Sequence, residues 1–306
     1  MAISIKTDDL ICPYFVTGGK GIEERIRSFP GQFRFSIDRL AKDMDGLAGS
    51  GINKVLIFGV PAGKDGQGSF AYLKNNIVSS AVREIKKRFP RLKVMTDVCL
   101  CAYTNHGHCG ILKGRDKQID NKATLETLSR IAVAHAEAGA DYVAPSAMAK
   151  GQVKAIRKAL DGNGHRKTKI MGYSAKFASN FYGPFRNAAK SAPAFGDRRA
   201  YQLNYRDRKN ALREIGDDIG EGADIVMVKP ALSYLDIIRE TRSEYSIPLA
   251  AYNVSGEYAF VKHGVRQGLW REKEIVFEIV SSIKRAGADL IITYHARDIA
   301  RWLKKP

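Results

Sequence analysis

The sequence has no run of roughly 18 consecutive apolar residues, the length a helix needs to cross a bilayer, so membrane-spanning helices are excluded. Its start, MAISIKTDDLI, lacks a charged segment leading into an apolar one, so no secretory signal is expected. Four cysteines in 306 residues are too few for a disulfide scaffold. Neither G-x-G-x-x-G nor a Walker sequence occurs, which argues against a doubly wound nucleotide-binding sheet. These absences predict a soluble, cytoplasmic, single-domain chain over 1–306, with no membrane partner.

Acidic residues are also scarce. Fifty Lys and Arg against 32 Asp and Glu leave a net charge of +18. The excess is concentrated: residues 150–213 carry sixteen Lys and Arg but only three Asp. Such a field attracts nucleic acid, a membrane surface or small carboxylates. No aromatic-interleaved basic repeat is present, so a nucleic-acid partner is not expected and small carboxylate ligands or a solvated face remain.

What is present is a repeating pattern. Short β-branched apolar runs occur at 12–17, 54–60, 93–100, 141–146, 169–175, 224–230, 248–254 and 289–295. The segments between them space apolar residues three or four apart, as amphipathic helices do. Gly-Ala-Asp triplets starting at Gly139, Gly222 and Gly287 enter three of the runs, with Gly suited to end the preceding helix. Eight strands alternating with helices predict a closed (β/α)8 TIM barrel. Two connections are long, 17–36 and 178–205, and the second reads as an active-site lid.

In such a barrel chemistry gathers at the C-terminal strand ends. The polar residues there are Asp97, Cys99, Cys101, Ser146, Lys176, Lys229, Ser255 and Tyr294. Two lysines in the apolar contexts YSAKF and VMVKP are unusual, because burial and a second positive charge both favour a neutral amine that can attack a ketone. The bland alternative pairs one of them with Asp97. Cys99, Cys101 and Cys109 offer three thiolates, the count typical of catalytic zinc with an open position. His106 and His108 fit a supporting shell, with His108 the better fourth ligand if a histidine binds. Arg186 and Arg198 in the lid suit a substrate carboxylate or a solvated surface equally.

The stretches DVCLCAYTNHGHCG (97–110), YSAKFASNFYGPFRNAAKSAPAFGDRRAYQL (173–203), GADIVMVKPALSYLDIIRE (222–240), AAYNVSGEYA (250–259) and GADLIITYHARD (287–298) closely resemble the porphobilinogen synthase, or 5-aminolevulinate dehydratase, family. The resemblance implies condensation of two 5-aminolevulinate molecules into porphobilinogen with loss of two waters, in tetrapyrrole (haem) biosynthesis. It implies Schiff bases on Lys176 and Lys229, and proton transfer aided by Asp97. Ser255 and Tyr294 would hold the first substrate's carboxylate, and Arg186, Arg198 and Gln202 would engage the second. Cys99, Cys101 and Cys109 would bind zinc.

Some positions depart from the family pattern. Its Ser-Asp-Met-Met-Asp-Gly run reads Ser146-Ala147-Met148-Ala149-Lys150-Gly151, losing both acids. Glu214 still matches one side of an allosteric magnesium position, so weak or absent magnesium activation is expected. The family's N-terminal arm, which helps build an octamer, has no counterpart, so a homo-oligomer smaller than an octamer is expected. A paralogue acting on another keto-amine is the alternative reading; a non-catalytic basic binding protein is a more distant one.

Overall fold

The computed structural model describes residues 3–114 and 117–304. The apolar runs form parallel strands β1 (Leu10–Thr17), β2 (Lys54–Val60), β3 (Lys93–Val98), β4 (Tyr142–Pro145), β5 (Lys169–Lys176), β6 (Ile225–Lys229), β7 (Leu249–Asn253) and β8 (Leu290–Thr293). Each pairs with the next. β8 returns to β1, with Leu10 opposite Ile291 and Ile11 opposite Ile292, so the sheet closes into the expected (β/α)8 barrel. The helices are α1 (Ile37–Ala48), α2 (Ile77–Arg88), α3 (Asn121–Glu137), α4 (Gln152–Gly162), α5 (Gly183–Ala188), α6 (Arg208–Gly220), α7 (Leu235–Glu244), α8 (Ser255–Arg266), α9 (Glu272–Ala286) and α10 (Ala296–Lys304). None is long and apolar enough to cross a membrane.

Strand residues alternate between two apolar layers. Val55, Val94, Val226 and Ile291 face outward onto helix residues such as Ile85, Leu128 and Ile215. Leu56, Met95, Met171, Ile225 and Ile292 fill the barrel interior. The three Gly-Ala-Asp triplets do one job. Gly139, Gly222 and Gly287 take positive φ (98°, 100° and 126°) where a helix ends. The following Asp141, Asp224 and Asp289 each accept a hydrogen bond from an amide at the start of the preceding strand, at Val94 (2.9 Å), Ile170 (2.8 Å) and Leu249 (2.9 Å). Each triplet therefore stops a helix and sets the next strand in register.

The 17–36 connection is more ordered than a loop. Glu23–Arg25 pairs antiparallel with Phe33–Phe35, which pairs in turn with β1, Phe15 lying opposite Arg34. β1 is twice as long as β8, and this short strand covers the edge β8 leaves free. Three-residue strands are too short to show a period in sequence.

Candidate active site

β5 and β6 run side by side and end in lysine, with Lys176 opposite Lys229. Strict alternation from Met171 would turn Tyr173 inward and Lys176 outward. Instead the register slips: Gly172 pairs with Val226, but Ala175 pairs with Val228. This bulge places one extra residue in β5 and turns both Tyr173 and Lys176 into the barrel. Both lysines are 5% exposed, far below the usual exposure of lysine. Lys176 Nζ donates to the Ser146 carbonyl. Lys229 makes no salt bridge among the described residues; its Nζ lies 4.1 Å from the Tyr252 ring centre, 5.0 Å from Tyr173, 5.1 Å from Phe185 and 5.2 Å from Tyr182. Burial first, then the Lys176 charge, holds the Lys229 amine well below the usual lysine range.

Asp97, inward-facing near the end of β3, shares this volume. Burial pushes its carboxyl up to about 6 and Cys101 adds to the shift, while Ser146 and the two lysines oppose it. The bland pairing of one lysine with Asp97 is not formed as a salt bridge. Just above, Cys99, Cys101 and Cys109 are all buried, with their sulfurs within 4.8 Å of one another. Cys99 Sγ and Cys101 Sγ are 3.5 Å apart. The thiols share protons unequally: contacts with its two neighbours lower Cys109 and raise Cys99. His108 lies outside this group. One ring nitrogen is 3.2 Å from the Tyr201 hydroxyl and the other 3.1 Å from the Phe195 carbonyl. His106 Nδ1 accepts the His108 amide at 3.1 Å.

The lid begins at Phe177 and carries α5. Ser255 Oγ donates to Phe181 O (3.1 Å) and accepts from Phe185 N (3.0 Å), joining the lid to the start of α8. The Tyr294 and Tyr252 hydroxyls are 2.9 Å apart. Arg198 Nη2 donates to Gly107 O (2.9 Å) and to Ser191 O. Burial works against its charge, but the nearby Cys109 and Cys101 outweigh it and hold Arg198 firmly cationic. Arg186 Nε, Arg198 Nε and both amide atoms of Gln202 are buried without a protein partner. Leaving such groups unpaired costs roughly 1–3 kcal/mol each, so they read as reserved for a bound molecule.

Glu214 lines a cavity of about 770 Å³ with Ala147, Lys150, Arg213 and Asp217, and Cys109, Tyr201 and Gln202 line the same cavity, so it borders the thiol loop and the lid. Burial and Asp217 raise its carboxyl, while Arg213 and Lys150 oppose this. The ammonium of Lys150 thus faces a carboxylate that the resemblance assigned to magnesium.

Several site residues escaped the sequence reading. Tyr173, Tyr182, Phe185 and Tyr252 form the aromatic wall around Lys229. Arg34 donates to Ala188 O and Asn187 O, both at 2.6 Å, and Lys64 donates to Lys190 O, so both hold the lid. The aromatics sit at ordinary core spacing, and nothing local marks Arg34 or Lys64 among fifty basic residues.

The delta-aminolevulinic acid dehydratase family profile matches residues 2–302. A delta-aminolevulinic acid dehydratase of Archaeoglobus fulgidus is 50% identical over 98% of this chain and 92% of its own length. One from Methanothermobacter thermautotrophicus is 53% identical over 95% of this chain and 89% of its own. The crystal structure of the Toxoplasma gondii enzyme, in complex with the reaction product porphobilinogen, is 38% identical and superposes with a TM-score of 0.96 over 98% of this chain and 86% of that one.

Proposed function

Since the chain belongs to the delta-aminolevulinic acid dehydratase family and is a lyase of that type, we propose how its residues join two molecules of 5-aminolevulinate into porphobilinogen with loss of two waters. The observation that carries the reading is the pair of buried lysines at adjacent strand ends, one of them with a depressed amine. A neutral Lys229 adds to the ketone of one substrate, water leaves, and a Schiff base forms; Lys176 does the same for the other. Lys176 also disfavours the ammonium of Lys229 before attack. Asp97, poised near 6, accepts and returns protons beside both nitrogens.

Ser255 and Tyr294 orient the first substrate's carboxylate, while Arg186, Arg198 and Gln202 take the second through their unpartnered donors. The aromatic wall excludes water that would compete with the amine. The three thiols fit zinc, being soft, buried and close enough to converge on one ion with a position left open. Bound there, the ion supplies Lewis-acid polarisation of a substrate oxygen. Magnesium activation is proposed to be weak, since Lys150 already supplies charge opposite Glu214. We further propose that the protein acts as a cytoplasmic homo-oligomer.

Zinc-loaded protein should convert 5-aminolevulinate into a product that gives a positive colorimetric pyrrole assay. Borohydride should trap substrate mass on Lys229 and Lys176. Cys109→Ser should lower zinc stoichiometry in elemental analysis together with turnover. Absence of both turnover and adduct would sink the reading.

A further inference from the structure

The ring of Tyr173 belongs to the aromatic wall, but its hydroxyl has no assigned role. The residue is 0% exposed, and its hydroxyl has no protein partner. The other tyrosines of the wall differ: Tyr252 and Tyr294 bond each other, and the Tyr182 hydroxyl donates to Phe177 O at 2.7 Å. Its position is not incidental either. The β5 bulge that turns Lys176 inward also keeps Tyr173 inward, so its ring lies 5.0 Å from Lys229 Nζ and 5.5 Å from Lys176 Nζ. The phenol feels Asp97, Tyr294, Cys99 and Tyr182, which are groups of the reacting volume. Burying an unpaired hydroxyl in an apolar barrel costs stability, whereas phenylalanine would fill the same space without that cost. The polar tip is therefore retained for something other than packing.

We propose that the Tyr173 hydroxyl is a further catalytic group, donating a hydrogen bond to the substrate oxygen that is lost at the lysine pair. The inference rests on the Schiff-base reading above. When the lysine nitrogen attacks, its electron pair forms the C–N bond and the carbonyl pair moves to oxygen. A proton passes from nitrogen to that oxygen, giving the carbinolamine. The nitrogen pair then forms C=N as the C–O bond breaks, and the departing hydroxyl takes the proton still on nitrogen and leaves as water, giving the neutral Schiff base. Tyr173 keeps its own proton throughout and stabilises the oxygen while it carries the growing charge. Burial, which holds the phenol well above its usual range, suits it to donate rather than ionise.

The test is Tyr173→Phe in the zinc-loaded enzyme, compared with wild type by steady-state kinetics, by the rate of borohydride-trappable adduct formation and by thermal melting. The expected result is a kcat lower by roughly 100- to 1,000-fold, the range for loss of one transition-state hydrogen-bond donor. The adduct should form more slowly by a similar factor, with KM within about threefold. The melting temperature should be equal or higher, because the variant loses only an unpaired group. Adduct formation at the wild-type rate would overturn the inference. So would a lowered melting temperature with unchanged kinetics, which would assign the hydroxyl to the fold through a buried water. Failure of the wild type itself to form an adduct would instead remove the Schiff-base reading and this inference with it.

Discussion

At the scale of single residues, Lys229 and Asp97 share one buried volume and are shifted in ways that serve each other. Lys229 is held low by burial and by Lys176, which favours the neutral amine that a nucleophile needs. Asp97 is held up, so it can exchange protons near neutrality. The lysine shift carries a stability cost whose sign can be worked out. Its folded value lies below its unfolded one, so the unfolded chain binds the extra proton between them. Stability from this group rises with pH through that window and is missing at neutrality. Lys229→Met should abolish turnover, by roughly a thousandfold or more. It should also raise the melting temperature at pH 7, with the gain shrinking as the pH approaches 10.5, the ordinary lysine value. Melting curves across that range check the sign. The two lysines and three thiols were legible because strand-end position and apolar flanks single them out. Tyr173 was not, since simple alternation places it and Lys176 on opposite faces.

At the scale of elements, the lid is held chiefly through its backbone. Arg34, 7% exposed, donates to the last carbonyls of α5 and pairs with Glu24, so its guanidinium caps the helix that carries Phe185 and Arg186. Arg34→Met removes these charge-assisted bonds while keeping most of the packing. The expected outcome is a KM for 5-aminolevulinate raised about tenfold, with a smaller change in kcat. Faster amide exchange across 183–191 should accompany it, measured by mass spectrometry. The eight strands could be read from the sequence because their alternating apolar runs are continuous and three share the Gly-Ala-Asp entry. The hairpin at 23–35 and the bulge in β5 could not, because both depend on which neighbouring edge is free or which pair slips, and that is a property of the assembled sheet.

At the scale of the whole molecule, two histidines are buried in neutral form, His135 beside the Thr96 hydroxyl and His295 with a ring nitrogen 3.9 Å from Glu272. His135 on α3 and His295 after β8 are each 1% exposed and are pushed down to about 3 by burial, with Lys262 adding to the shift at His295. For both, the folded value lies below the unfolded one, near 6.5. The unfolded chain therefore takes up protons first, and stability is lost as pH falls from about 6.5 towards 3. His135→Leu should lessen that acid loss by on the order of a few kcal/mol, with its offset from wild type largest near pH 3–4 and small above 7. Urea titrations at several pH values measure it. The net charge of +18 supports only a broad reading, because the basic residues of 150–213 belong to several elements, from α4 and β5 through the lid to α6.

The close fit between the cysteine loop and the lid has one more consequence. Gly107, at φ +69°, lies so near the lid that a Cβ there would come within 2.2 Å of Ala192 O. The Ala194 amide bonds His106 O at 3.0 Å, and the Tyr201 hydroxyl reaches both His108 and the Cys109 amide. The cysteine loop and the lid are thus packed as one mechanical body. Thermodynamic reciprocity then requires that whatever ion tightens the loop also favours the closed cover, and that a carboxylate drawing the cover shut strengthens ion retention by the same factor. With an ion held by the three thiols, release of a lid-bound carboxylate and loosening of that ion would be two readings of a single equilibrium.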